Sequence, residues 1–539
     1  MRNAFKNILR LTTALAATAV IASGASSCGR AQAETTEREN PVIWADAPDP
    51  DVIRVGDDYY MVTTTMHLMP GAPIMHSRDL VNWETIGYVF DRLADTPRYD
   101  LEEGTVYGKG QWATSLRYHD GKFYVLFSPN DQPYKSYIYT AENPAGPWTL
   151  VTHDLPHFHD SSLLFDDDGK VYVYYGGGKI MVRELNPDLT GVKEDGLDCV
   201  AIVPDSTETG LHEGSRVVKH NGKYYALVIS WPAGKPRRQL CYRADSVAGP
   251  WEKQVILESQ FGGFPYVGQG ALVDGKDGEW WGMIFQDRGG VGRILTLNPV
   301  SWTDGWPMLG DAEGKVPATL SVTEVPVEGD GIAVSDDFSN GKKSILWQWN
   351  HNPIDSAWSL TERDGWLRLR TQRVVGNLYE APNTISQRMP GPTCEGEVLL
   401  DISAMKPGDV AGLAAFNGDS GVLEVVREAD KTWLIAMASS VELGEPGHRV
   451  TGVKDAEMAR VELGDASQVW LKIKGDFNPG RDIATFEWSL DGKDWNVIGD
   501  DFKMIFDYRR LFMGTRFAIF NYATQEAGGY IDVDYFKLS

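Results

Sequence analysis

Four cysteines among 539 residues, none in a Cys-x-x-Cys pair, leave no disulfide framework and no zinc site to organise this chain. Cysteines 199, 241 and 394 are scattered and read as small buried residues. Cationic side chains are also scarce. Lys and Arg number 51 against 75 Asp and Glu, a formal charge of -24, which excludes the basic face that nucleic acid or an anionic membrane requires. A neutral sugar polymer is compatible with that balance. Long stretches of helix-forming residues are missing too, while Gly, Trp and Tyr are plentiful, and this points to an all-β chain rich in turns. Its length exceeds what one core organises, so two or three domains are expected.

The N-terminus has the layout of an export signal. Arg2, Lys6 and Arg10 precede an apolar run from Leu11 to Ala22 that is too short to span a bilayer. The small residues that follow reach Cys28 in "GASSCGR", which resembles a relaxed lipobox; plain cleavage after Ala33 is the alternative. Residues 1–33 are therefore read as a leader, with Cys28 the lipidation site of a periplasmic or outer-membrane lipoprotein.

An internal repeat organises what comes next. A turn pair followed by an aromatic strand recurs around Gly56, Gly121, Gly169, Gly222 and Gly278, the pattern of β-hairpins. The spacing, roughly fifty to sixty-five residues, suits four-stranded propeller blades. Five blades are expected across residues 40–315. Nine residues before the turn glycine stand Trp112, Asp160, Glu213 and Gln269, and in the first unit Asp49 stands seven before. If the units are equivalent, the innermost strands bring all five side chains to one end of the axis. Three of them are acids, and glycosidic hydrolysis requires a proton donor and a second carboxylate opposite it. Trp112 offers a surface on which a sugar can stack.

These motifs resemble glycoside hydrolase family 43 over roughly residues 40 to 310. "DAPDPDVIRVGDDYYM" is similar to the opening segment, which implies Asp49 as general base. "HFHDSSLLFDDDGKVYVYY" implies Asp160 as the acid that orients and raises the pKa of its neighbour, and "LHEGSRVVKHNGKYYAL" implies Glu213 as general acid. "GRILTLNPVSWTDGWP" suggests that Arg293 reaches the sugar. "GQWATSLRYHDGKFYV" resembles the family's Trp-Ala-Pro segment, with Thr114 in place of proline and Trp112 kept. Many members carry His near an axial cation where this chain has Gln269, as does the arabinofuranosidase and xylosidase branch. No cofactor is expected, and a structural calcium is left open but poorly supported, since an amide is a weaker partner than imidazole there.

The stretch from about Gly310 to Val334 reads as a linker or strand-poor crossing. Residues 335–539 show short alternating strands and are expected to form a β-sandwich, resembling the concanavalin-like domain attached to family relatives. It either packs on the propeller and closes one side of the pocket, or binds carbohydrate through aromatics such as Trp347 and Trp349. The implied function is an inverting, exo-acting α-L-arabinofuranosidase acting on hemicellulose side chains of arabinoxylan or xyloglucan. A β-xylosidase is the alternative, an endo-arabinanase is less favoured, and a non-catalytic glycan-binding lipoprotein is the reading from another class.

Overall fold

The computed structural model describes residues 35–445 and 447–539. The leader and Cys28 lie outside the described residues.

Five four-stranded antiparallel sheets form the first domain. Their innermost strands are Asp51–Val55, Ser115–His119, Ser162–Phe165, Leu211–His220 and Val267–Asp274, opening blades 1 to 5 in chain order. Each runs through the expected hairpin into the second strand. At Asp120-Gly121 and Asn221-Gly222 both central residues have positive φ, the tight turn whose twist matches that of the flanking strands. Two similar segments, "AENPAGPW" at 141–148 and "ADSVAGPW" at 244–251, are the turns between the third and fourth strands of blades 2 and 4.

The apolar material sits between the blades rather than at a common centre. One buried cluster fills each seam, from Val62, Val89 and Phe127 between blades 1 and 2 round to Val52, Met283 and Leu297 between blades 5 and 1. This leaves the axis to polar side chains. The ring is closed by the segment ahead of blade 1, whose Val42 and Ala47 amides donate to Leu295 and Arg293 carbonyls of blade 5, both at 2.9 Å. Strand Thr319–Val322 pairs with Thr36–Glu39, so the supposed linker contributes one strand to that closure.

The second domain is a sandwich of two large antiparallel sheets. Trp347 and Trp349 are buried in its core, so they do not form a binding surface. Its outermost partner strand comes from the propeller: Leu68–Met69 of blade 1 pairs with Gln348–Asn350. The seam around it is sealed by His67, Tyr107 and His351, whose rings lie 4.8 to 5.1 Å apart. Packing on the propeller is thus the arrangement found. Of the three cysteines described, Cys241 and Cys394 are buried as expected, but Cys199 is half-buried, because it lies on the outer edge strand of blade 3.

Candidate active site

A cavity of about 690 Å³ opens at one end of the propeller axis, and Asp49, Trp112, Asp160, Glu213, Gln269 and Arg293 all line it. The five residues picked by their offset from the turns do meet, one from each blade. Two of them ride on bulges. In blade 4 the register slips between Glu213 and Arg216, and in blade 5 between Val267 and Gly270, an irregularity that re-aims a side chain at the end of a strand. Gly214, at φ 72°, is required there: a Cβ would come within 2.2 Å of the Gln269 Oε1.

Asp49 is 8% exposed and accepts a hydrogen bond from the Thr64 hydroxyl at 2.7 Å. Arg293 Nη1 stands 3.5 Å from its other oxygen. The same guanidinium lies 4.4 Å over the Phe512 ring and donates to the Phe512 carbonyl at 3.1 Å. One side chain therefore ties the acid of blade 1 to the sandwich.

Glu213 and Asp160 share a neighbour that the sequence reading passed over. His159 Nε2 is 3.0 Å from Glu213 Oε2 and 3.9 Å from Asp160 Oδ2. The negative charge of Asp160 is the main reason that the imidazole is pushed up to about 9, with Glu213 adding to it against the cost of burial. Asp160 is itself pushed up to about 7, chiefly by burial, with Glu213 and Asp49 raising it further and His159 and Arg216 opposing. A protonated His159 donates to Glu213, so the direct hold on Glu213 comes from His159, with the Asp160 carboxylate beside it. His159, Asp160 and Glu213 each present a ligand atom within 4.8 Å of the others, a spacing that a metal could use, but the imidazole edge facing the acids is already spent on them. The signal for His159 was in "HFHD", one position before the acid.

The opposite wall belongs to the second domain. Met504, Ile505, Phe506, Tyr508 and Phe512 line the same cavity. The Phe512 ring lies 5.8 Å from Trp112 and 5.9 Å from Phe506, making an apolar corner. Arg510 pins this loop to the sandwich by donating to the Gly418 and Val441 carbonyls and the Asp419 carboxylate. On the same cavity Arg237 packs over the Trp231 and Tyr266 rings and pairs with Asp287 at 2.7 Å. Acids on a polar floor, facing aromatic faces, suit a polyhydroxylated ring whose C–H faces stack while its hydroxyls are bonded from below.

Residues 38–307 match the model described as glycosyl hydrolases family 43, and residues 335–539 match the β-xylosidase C-terminal concanavalin A-like domain. A β-xylosidase of Formosa agariphila is 32% identical, with 92% of this chain and 89% of that protein aligned. The non-reducing end α-L-arabinofuranosidase BoGH43B of Bacteroides ovatus is 33% identical over 69% of this chain and 72% of its own. A solved Bacteroides eggerthii structure described as bifunctional GH43-CE superposes with a TM-score of 0.86 at 42% identity, covering 94% of this chain and 64% of that one, so this chain spans less than two thirds of it.

Proposed function

The chain belongs to glycosyl hydrolases family 43 and is a glycosidase; from the site we propose that it is an inverting, exo-acting α-L-arabinofuranosidase that takes one terminal arabinofuranose at a time from hemicellulose side chains. The observation that carries this is the convergence of three carboxylates from three blades on a cavity whose far wall is supplied by another domain. A pocket walled on one side by a second domain favours a chain end over the middle of a polymer.

In this reading Asp49 is the base. Its Oδ2 is held by Thr64, and its charge is balanced by Arg293, so it can take a proton from a water that attacks the anomeric carbon. Glu213, steadied through Oε2 by His159, gives its proton to the departing oxygen on the other face. Asp160 holds the electrostatic balance of the pair: its partly protonated carboxyl and the His159 cation keep the two acids from repelling each other. Trp112 and Phe512 stack on the sugar, and Gln269 and Arg293 bond its hydroxyls. No cofactor enters.

The second reading, a β-xylosidase, is supported by the Formosa relative, which aligns over more of this chain than the arabinofuranosidase does. Side-by-side turnover of the nitrophenyl α-L-arabinofuranoside and β-D-xylopyranoside separates them: arabinoside preferred by at least about tenfold in kcat/KM supports the first, the reverse replaces it. Product NMR within the first minutes is expected to show the inverted anomer. We further propose export and lipid attachment at Cys28, for which acyl labelling lost in Cys28→Ser is the check.

A further inference from the structure

Below the acids, on the axis itself, lies a guanidinium. Arg216 is 1% exposed, and its two terminal nitrogens reach backbone carbonyls from four blades: Nη1 donates to Ser161 and Ser215 at 3.1 and 3.0 Å, and Nη2 to Asp49 and Thr114 at 3.4 and 3.1 Å. Its Nε is 3.7 Å from the buried Asp51 carboxylate, which also takes the Leu116 amide and Arg117 Nη1. Arg117 in turn donates to Ser162 and to the Val217 carbonyl. Carbonyls converging on a propeller axis are the donor set that a hard cation takes, and calcium asks for six to eight oxygens. Here they are already turned on a cation that belongs to the chain. Gln269, which stands where many family members carry His, leaves its Nε2 buried without a partner, and an amide is a weaker partner than imidazole for organising a metal site. The axis does not fit calcium.

We propose that Arg216 is the resident axial cation of this propeller, standing in for a structural metal ion and positioning the reacting groups. It holds the carbonyl of Asp49 and that of Ser161, next to Asp160, and it sits three residues after Glu213 across the bulge that aims the acid. A planar fork with five donors binds four diverging carbonyls in one fixed geometry, which neither Lys nor a bound water reproduces. Arg216 is thus a positioning residue: it touches no sugar but fixes the distance between base and acid.

This rests on the glycosidase roles assigned above, and its test separates the two. Wild-type enzyme dialysed against EDTA is expected to keep its melting temperature and its kcat, and added calcium is expected to move neither; one calcium per chain whose removal lowers the melting temperature would overturn the proposal whether or not a pentoside is cleaved. Arg216→Ala is expected to lose on the order of 100-fold in kcat with KM within about threefold, since a small misplacement of reacting groups costs that much. Exogenous guanidinium at non-denaturing concentration should recover part of that loss, which a merely structural role would not allow. If the alanine variant fails to fold, Arg216→Lys gives the same split at smaller size. A folded Arg216 variant with wild-type kcat sinks the idea, and so does a loss confined to KM.

Discussion

The floor and the wall of the pocket are made by opposite means. The floor is the propeller's axis: Asp49 and the His159–Asp160 pair stand just ahead of their innermost strands and Glu213 and Arg216 within one, held by hydrogen bonds inside and between blades. The wall is one loop of the sandwich, residues 504–512, presenting aromatic faces and held by Arg510 and Asn417 from its own domain and at Phe512 by Arg293 of the propeller. Charge demands a rigid, pre-paid environment, because reorganising dipoles during the reaction would consume the stabilisation. Stacking demands shape, and a loop can supply that. Chemistry and affinity are therefore expected to separate along the line between the domains.

The sharpest way to break this division is at Glu213. Glu213→Gln is expected to lower kcat on native oligosaccharide by about 10²–10⁴-fold while product or substrate binding, read by calorimetry, stays measurable; near-normal turnover would place the acid elsewhere. Asp160→Asn tests the floor in a second way. The Asp160 pKa is raised in the fold from its ordinary 3.8 to about 7, so the native state keeps a proton that the unfolded chain has lost, and stability drains away as pH climbs through that window. The asparagine variant cannot ionise. It should lose roughly 10–100-fold in kcat, yet melt a few degrees higher than wild type at pH 8 (~2–4 °C) and show no such gain near pH 4. An equal gain at both values would contradict the assignment.

Phe512→Ala addresses the wall. Losing the ring that meets Trp112 edge to face and lies under the Arg293 guanidinium should raise KM by about tenfold, the equivalent of ~1.4 kcal/mol, and leave kcat within about threefold. A collapse of kcat instead would mean that the wall also shapes the chemistry. The smallest effect lies in the seam. His67 is driven down to about 3 and His351 well below its ordinary value, both by burial, and the Val106 amide donates to neutral His351 at 2.9 Å. Folded-state values below those of the unfolded chain mean full stability above about pH 6.5 and progressive loss toward pH 3. The melting temperature should fall between pH 7 and pH 5, and His67→Phe should make that fall shallower.

How far the site could be read in advance follows from what fixes each position. The five axis-end residues were legible because each blade repeats one strand and one glycine-bearing turn, Asn-Gly or Asp-Gly in blades 2 to 5, so a count from the glycine runs back along the strand toward the axis end. The bulge residues Gly214 and Gly268 were not, since a bulge is set by its partner strand. His159 was overlooked although it adjoins Asp160, because adjacency in a chain does not say that an imidazole turns toward an acid of the next blade. Arg216, in "EGSR", carries no local signal of its place, and only the assembled ring shows four carbonyls aimed at it.

By itself, then, the amino-acid order determined the hairpin repeat, the number of blades, the placing of Asp49, Asp160 and Glu213 at one end of an axis, and a second β domain. These are local properties: strand alternation and turn geometry act over a few residues and repeat. Which side chains neutralise those acids, where the cation on the axis comes from, and that Leu68–Met69 of the propeller completes a sheet of the sandwich while Phe506 and Phe512 wall the pocket were decided only by the tertiary structure. Contacts between residues hundreds of positions apart depend on how two finished surfaces fit, and no spacing along the chain carries that information.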